Sequence, residues 1–232
     1  IVVNAHRVRN GLMPLLADEA KNRRGFHFIG EDDPEKVAEK VCQLVTKVLP
    51  DRFGLDPLES IQVLCPMHKG EAGAMSLNER LQESLNGSSP GLHRGGKLFR
   101  VGDRVMQVKN DYEKEVFNGD IGRVVGIDEE QQVVTIAFEG RVIPYEFPDL
   151  DQVSPAYAIT VHKSQGSEYP AVVIPLTTQH YMMLQRNLFY TALTRAKSLA
   201  VVVGTKKAMA IAVKNDKVQH RCTRLAARLR KP

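Results

Sequence analysis

The chain has 232 residues, 43% of them hydrophobic and 25% charged, an ordinary balance for a globular protein able to bury a real core as one large domain or two small ones. No apolar run approaches the about 20 residues that cross a bilayer, no signal-peptide pattern opens the chain, and three widely spaced cysteines, Cys42, Cys65 and Cys222, fit neither a disulfide framework nor a zinc site. They point to reduced thiols in a cytoplasmic protein. The net charge of +5 does not mark the whole molecule as a polyanion binder, because Gln219 to Pro232 holds five bases and no acid and supplies the excess alone.

Taken in order, Ile1 to Gly11 reads as the back of a helix: apolar residues at helical spacing, Arg7 and Arg9 in the last turn, and Gly11 beyond it. It starts mid-pattern without a Met, which leads us to expect a fragment. Gly25–Gly30 predicts a short strand. Asp33 suits an N-cap and Pro34 the first helical position, and Val37, Val41, Leu44, Val45 and Val48 form one apolar stripe of a helix ending near Pro50. Ser60–Pro66 reads as a strand, and Gly70–Asn86 as a helix with Leu77, Leu81 and Leu85 in line. Strand, helix, strand, helix predicts a parallel sheet.

From Phe99 the texture changes. Phe99–Val108 alternates as a strand, Asn118-Gly119 and Asp128–Glu130 are turn signals, and Val133–Phe138 and Arg141–Phe147 alternate around Glu139-Gly140. Short strands at this spacing predict a small antiparallel barrel over 111–152, inserted into an α/β unit formed by 1–110 and 153–218 and followed by the basic tail 219–232.

The stretch from Ala156 to Tyr169 is the centre of the pattern. An apolar strand gives way to Thr160, His162, Lys163, Ser164, Gln165, Gly166, Ser167 and Glu168, and a second apolar run, Ala171–Leu176, follows. Donors, a cation, a flexible glycine and a carboxylate between two buried strands are how α/β proteins present a ligand site. Further on, Leu188–Lys197 places Arg195 on a helical stretch before the strand Leu199–Gly204. Tyr157, Phe189 and Tyr190 fit core or cleft packing better than base-stacking platforms.

These two segments resemble motifs V and VI of superfamily 1 helicases. Val63–Gly70 with Leu77–Gln82 resembles motif IV of the RecD-like group, and Gly102–Val105 and Asn118–Val124 resemble phrases of the Src-homology-type barrel that interrupts the second motor domain of that group. The resemblance covers nearly the whole chain. It implies a RecA-like parallel sheet with flanking helices, interrupted by that barrel. It also implies ATP with Mg2+, bound mainly by a first motor domain, since no phosphate loop or acidic magnesium motif stands in this sequence. Arg195 is then the arginine finger, Gln165 and Gly166 lie near the nucleotide phosphates, and Glu168 accepts from the ribose. Thr160, His162, Lys163 and, with weaker support, His68 would touch single-stranded DNA. The implied parent is an ATP-dependent 5′–3′ DNA helicase with partners in recombination, repair or conjugation, and this chain alone would be inactive. Two other classes stay open: a non-catalytic helicase-like module that docks a protein, and an RNA-directed translocase. The intact arginine argues against the first.

Overall fold

The computed structural model describes residues 1–16 and 25–216. In chain order these form α1 (Val2–Arg9), β1 (Gly25–Gly30), α2 (Pro34–Gln43), α3 (Leu49–Phe53), β2 (Ile61–Cys65), α4 (Ala74–Asn86), β3 (Gly91–Arg94), β4 (Lys97–Arg100) and β5 (Arg104–Gln107). Then come β6 (Ile121–Asp128), β7 (Val133–Phe138), β8 (Arg141–Glu146), β9 (Val153–Pro155), β10 (Ala158–Thr160), β11 (Tyr169–Leu176), α5 (Arg186–Thr194), β12 (Ala196–Gly204) and α6 (Lys206–Lys214). The basic tail expected at 219–232 lies outside the described residues.

Five parallel strands in the order β1-β12-β11-β2-β10 make the main sheet. Its strands are near-continuous apolar runs because helices cover both faces. One face packs Val172, Ile174, Ala200 and Val202 against α1, α5 and α6 through Val8, Leu193 and Met209. The other packs Val63, Val173 and Val201 against α2, α3 and α4 through Val41, Leu49 and Leu81. The expected α/β class is therefore present, and Asp33 caps α2 as its sequence implies, its carboxylate accepting from Glu35 N at 2.9 Å.

The helix expected to end near Pro50 runs on to Phe53. A widened π turn at Leu44–Val48 precedes Pro50, and Gly54, with φ of 64°, closes α3. A wider turn accommodates a proline that offers no N–H and crowds the carbonyl one turn back.

A second sheet, antiparallel and in the order β8-β7-β6-β5-β9, forms the inserted unit, with the β3–β4 hairpin beside it. Phe99, Val105, Val124, Ile136 and Tyr145 fill its own core. Its extent differs from the expected 111–152. The antiparallel sheet takes in Arg104–Gln107 and Val153–Pro155, because β5 pairs with β6 on one side and with β9 on the other, bringing the entering and leaving chains together. Phe99–Val108 is also not one strand. Gly102 (φ 95°) turns the chain between β4 and β5, and the Asp103 carboxylate accepts from Arg100 N at 2.7 Å across that turn.

Candidate nucleotide and nucleic-acid site

Strand register fixes the layout of the central segment. β10 and β11 both run parallel to β2, one on each side of it. The chain leaving Thr160, level with Cys65, must therefore return along the sheet before Tyr169, two residues ahead of Ala171, which is level with Ile61. That return covers about 20 Å at strand rise. The segment thus touches both ends of the sheet.

At the carboxyl end of the strands, Val161–Ser164 forms a 3-10 turn. Val161 enters the core, and Ser164, fully buried, donates from Oγ to Val161 O at 2.7 Å. With those two positions anchored, His162 and Lys163 stand exposed, and Thr160 is half-buried. Surrounding protein nonetheless desolvates the Lys163 ammonium and pushes its pKa down from the ordinary lysine value. His68 is exposed three residues past Cys65 and so lies at the same end of the sheet.

The chain then turns back through Gln165, Gly166 and Glu168, all exposed. Gly166 has φ of 89° with nothing within 4 Å of where a Cβ would sit, so backbone conformation and not crowding calls for glycine there. At the amino end of the strands the return meets Arg195. This residue ends α5 just before β12, and Tyr169 is paired with its neighbour Ala196. Tyr169 N donates to Arg195 O at 2.8 Å, and Arg195 Nη1 donates to Ser167 O at 3.0 Å. The guanidinium is half-buried, and its Nε is enclosed with no hydrogen-bond acceptor among the described residues. An enclosed donor left unmade costs about 1–3 kcal/mol. A phosphate oxygen is a suitable acceptor for such a group.

The structure thus gathers Thr160, His162, Lys163 and His68 at one end, and joins Arg195 to the returning loop at the other. Tyr157 and Phe189 are buried and Tyr190 packs against the core, as expected. Sequence reasoning missed the residues that hold the segment. Asn78 clamps the outer edge of β10, donating to Ala158 O (2.7 Å) and accepting from Ala158 N (2.9 Å). Gln62, buried within β2, donates to Ala156 O and Tyr157 O at 3.2 and 3.1 Å. The available signal was a lone amide inside an apolar pattern: Gln62 in a buried strand and Asn78 beside the Leu77–Leu81 stripe.

Residues 77–138 match the SH3 domain of ATP-dependent RecD-like DNA helicases, and residues 155–203 match the UvrD-like helicase C-terminal domain. The chain is 35% identical over 230 residues to an ATP-dependent RecD2 DNA helicase of Deinococcus radiodurans, covering 99% of this chain and 30% of that protein. It is 32% identical to a RecBCD enzyme subunit RecD of Mycolicibacterium smegmatis, covering 93% of this chain and 38% of that one. The chain thus spans about a third of the length of these relatives. Among solved structures, a Pif1 helicase from Bacteroides in complex with ADP-AlF3 and ssDNA shares the fold, with a TM-score of 0.53 and 18% identity over 90% of this chain and 50% of that one. Both domain matches and both relatives converge on one group: the chain belongs to the RecD-like superfamily 1 helicases, as a C-terminal part of such a protein.

Proposed function

We propose that this chain is the second motor half of an ATP-dependent DNA helicase that moves 5′ to 3′ on single-stranded DNA. The observation that carries the reading is the course of segment 156–169, which bears the exposed His162 and Lys163 at one end of the sheet and meets Arg195 at the other. Thr160, His162, Lys163 and His68 donate to DNA phosphates, which position the strand without reading its sequence. Arg195 directs a permanently charged, planar fork of donors at the phosphoryl group being cleaved. Gln165 and Gly166 lie beside the nucleotide phosphates, where the left-handed glycine permits close backbone approach, and Glu168 accepts from a ribose hydroxyl. When bound, ATP supplies the phosphoanhydride whose cleavage drives stepping. In this reading the phosphate loop and the magnesium ligands belong to the other half. The name of the Deinococcus relative supports DNA over RNA and ATP as the fuel. The names of the RecD relatives, each a subunit of a RecBCD enzyme, point toward a multisubunit assembly as the setting.

Purified alone, the chain is expected to show no DNA-stimulated ATP turnover. Joined to the phosphate-loop half of a RecD-like helicase, it should restore turnover, and Arg195→Ala should abolish that gain. Magnesium-dependent turnover by the chain alone, lost with Arg195→Ala, would refute this division of labour.

A further inference from the structure

The two ends of the central segment are also held from the inserted barrel, by adjacent buried charges: Asp103 in the turn between β4 and β5, and Arg104 at the start of β5. Asp103 is 1% exposed, and its carboxylate accepts four hydrogen bonds. Gln82 Nε2 (2.5 Å) and Arg100 N (2.7 Å) reach one oxygen; Asn86 Nδ2 (2.7 Å) and Tyr157 Oη (2.8 Å) reach the other. Four donors occupy its lone-pair sites, which is the condition for keeping such a charge at depth. Tyr157 leads directly into β10 and Thr160. Burial, with the Asp103 charge adding to it, pushes the Tyr157 phenol pKa up, so the hydroxyl remains a donor.

Arg104 is 7% exposed and reaches other partners. Its Nη1 donates to Leu58 O and, at 3.2 Å, to Ile61 O, fixing the guanidinium at the entry to β2. The guanidinium carbon lies 6.0 Å from the centroid of the Tyr169 ring, within cation–π range. Tyr169 is the residue whose N–H donates to Arg195 O, two positions after the Ser167 carbonyl that takes Arg195 Nη1. Arg104 O also accepts from Ala156 N at 2.9 Å, so one residue touches the start and the end of the segment.

We propose that Asp103 and Arg104 are positioning residues through which the inserted barrel sets both ends of the segment, Asp103 acting through Tyr157 on the Thr160–Lys163 end and Arg104 through Tyr169 on the Ser167–Arg195 end. The functional meaning of those ends rests on the reading above; the positioning itself does not. Because the two charges are neighbours in the chain, a shift of the barrel moves both ends together. Lysine at 104 keeps the charge but loses the planar fork and the stacked face. Phenylalanine at 157 keeps the ring and removes the one donor that reaches Asp103 from the segment.

Amide hydrogen exchange tests this without nucleotide or DNA. Arg104→Lys should speed exchange of the Tyr169 amide about tenfold while leaving the Ala158 amide and the amides of β7 unchanged. Tyr157→Phe should do the reverse, speeding Ala158 and sparing Tyr169. Equal acceleration at every amide, or none at either reporter, would overturn the proposal. The kinetic arm uses a complete motor carrying this chain. There Arg104→Lys should lower kcat severalfold with little change in the ATP concentration for half-saturation. Tyr157→Phe should mainly raise the DNA concentration for half-saturation. The expected exchange pattern with unchanged kinetics would uphold the positioning and sink the functional assignment of the two ends.

Discussion

At the Thr160 end of the central segment His162 and Lys163 are exposed, on a short turn pinned from below by Val161 and Ser164. At the Tyr169 end the cation is held: Arg195 is half-buried, bonded through Nη1 to Ser167 O, and carried by a helix whose Leu188, Ala192 and Leu193 are buried. In the proposed function the contrast follows the demands of the two tasks. A backbone phosphate moving past needs cations that can follow it, whereas a charge stabilising a transition state acts best when its geometry is set beforehand. Packing should therefore matter most at the Arg195 end.

Leu193→Ala is the strongest way to break that contrast through structure. Leu193 is fully buried two residues before Arg195, and such a truncation costs about 2–5 kcal/mol. Urea unfolding should register the loss, and exchange at the Tyr169 amide should rise more than at Ala158. A rise at Ala158 alone would reverse the ranking of the two ends.

Acid should loosen the other end. His180 lies in the turn Thr178–Met183 that follows β11, at the same end of the sheet as Thr160; it is 2% exposed, and burial pushes its pKa down to about 4. In the unfolded chain its pKa is about 6.5, so between those values the unfolded state binds more protons and stability falls as pH falls. The full effect is at most about 3 kcal/mol, complete near pH 4 and absent above about pH 7. Unfolding free energies measured across this range should show the slope in the parent protein and a flatter one in His180→Gln. Identical slopes would place the titration elsewhere.

A smaller effect is expected at the bend between the ends. Alanine at 166 would meet no atom within 4 Å but would have to hold φ near 89°. The strain is about 1–2 kcal/mol. A thermal midpoint unchanged by Gly166→Ala would mean that the loop relaxes freely.

Much of this arrangement is legible in the sequence. The parallel strands announce themselves as short apolar runs, and Asp33-Pro34 marks its helix start, because burial and capping are local demands. The order Thr160, His162, Lys163, then Arg195 after a helix puts the first three where β10 ends in a turn and the last at the end of α5, as the structure has them. The break at Gly102 shows in the sequence only as the pair Gly102-Asp103, which interrupts the apolar positions Phe99, Val101 and Val105 and which reading Phe99 to Val108 as one strand passes over. The grip on the segment is not legible. Asp103 meets Tyr157, and Asn78 meets Ala158, across long stretches of chain that only the fold closes. A buried Gln62 reads as an ordinary polar interruption until its carbonyl partners at 156 and 157 are in place.

The division between the two ends is tested most directly in a complete motor carrying this chain, with Arg195→Ala and Lys163→Ala titrated with an oligonucleotide at two salt concentrations and followed by anisotropy and by ATP turnover. Loss of an arginine finger costs on the order of 10³ in turnover, and Arg195→Ala should show that loss with DNA affinity nearly unchanged. Lys163→Ala should keep most turnover at saturating DNA, weaken binding, and reduce the salt slope by about one unit. If both variants lose DNA affinity equally and keep their turnover, Arg195 does not act on the nucleotide and the account is wrong.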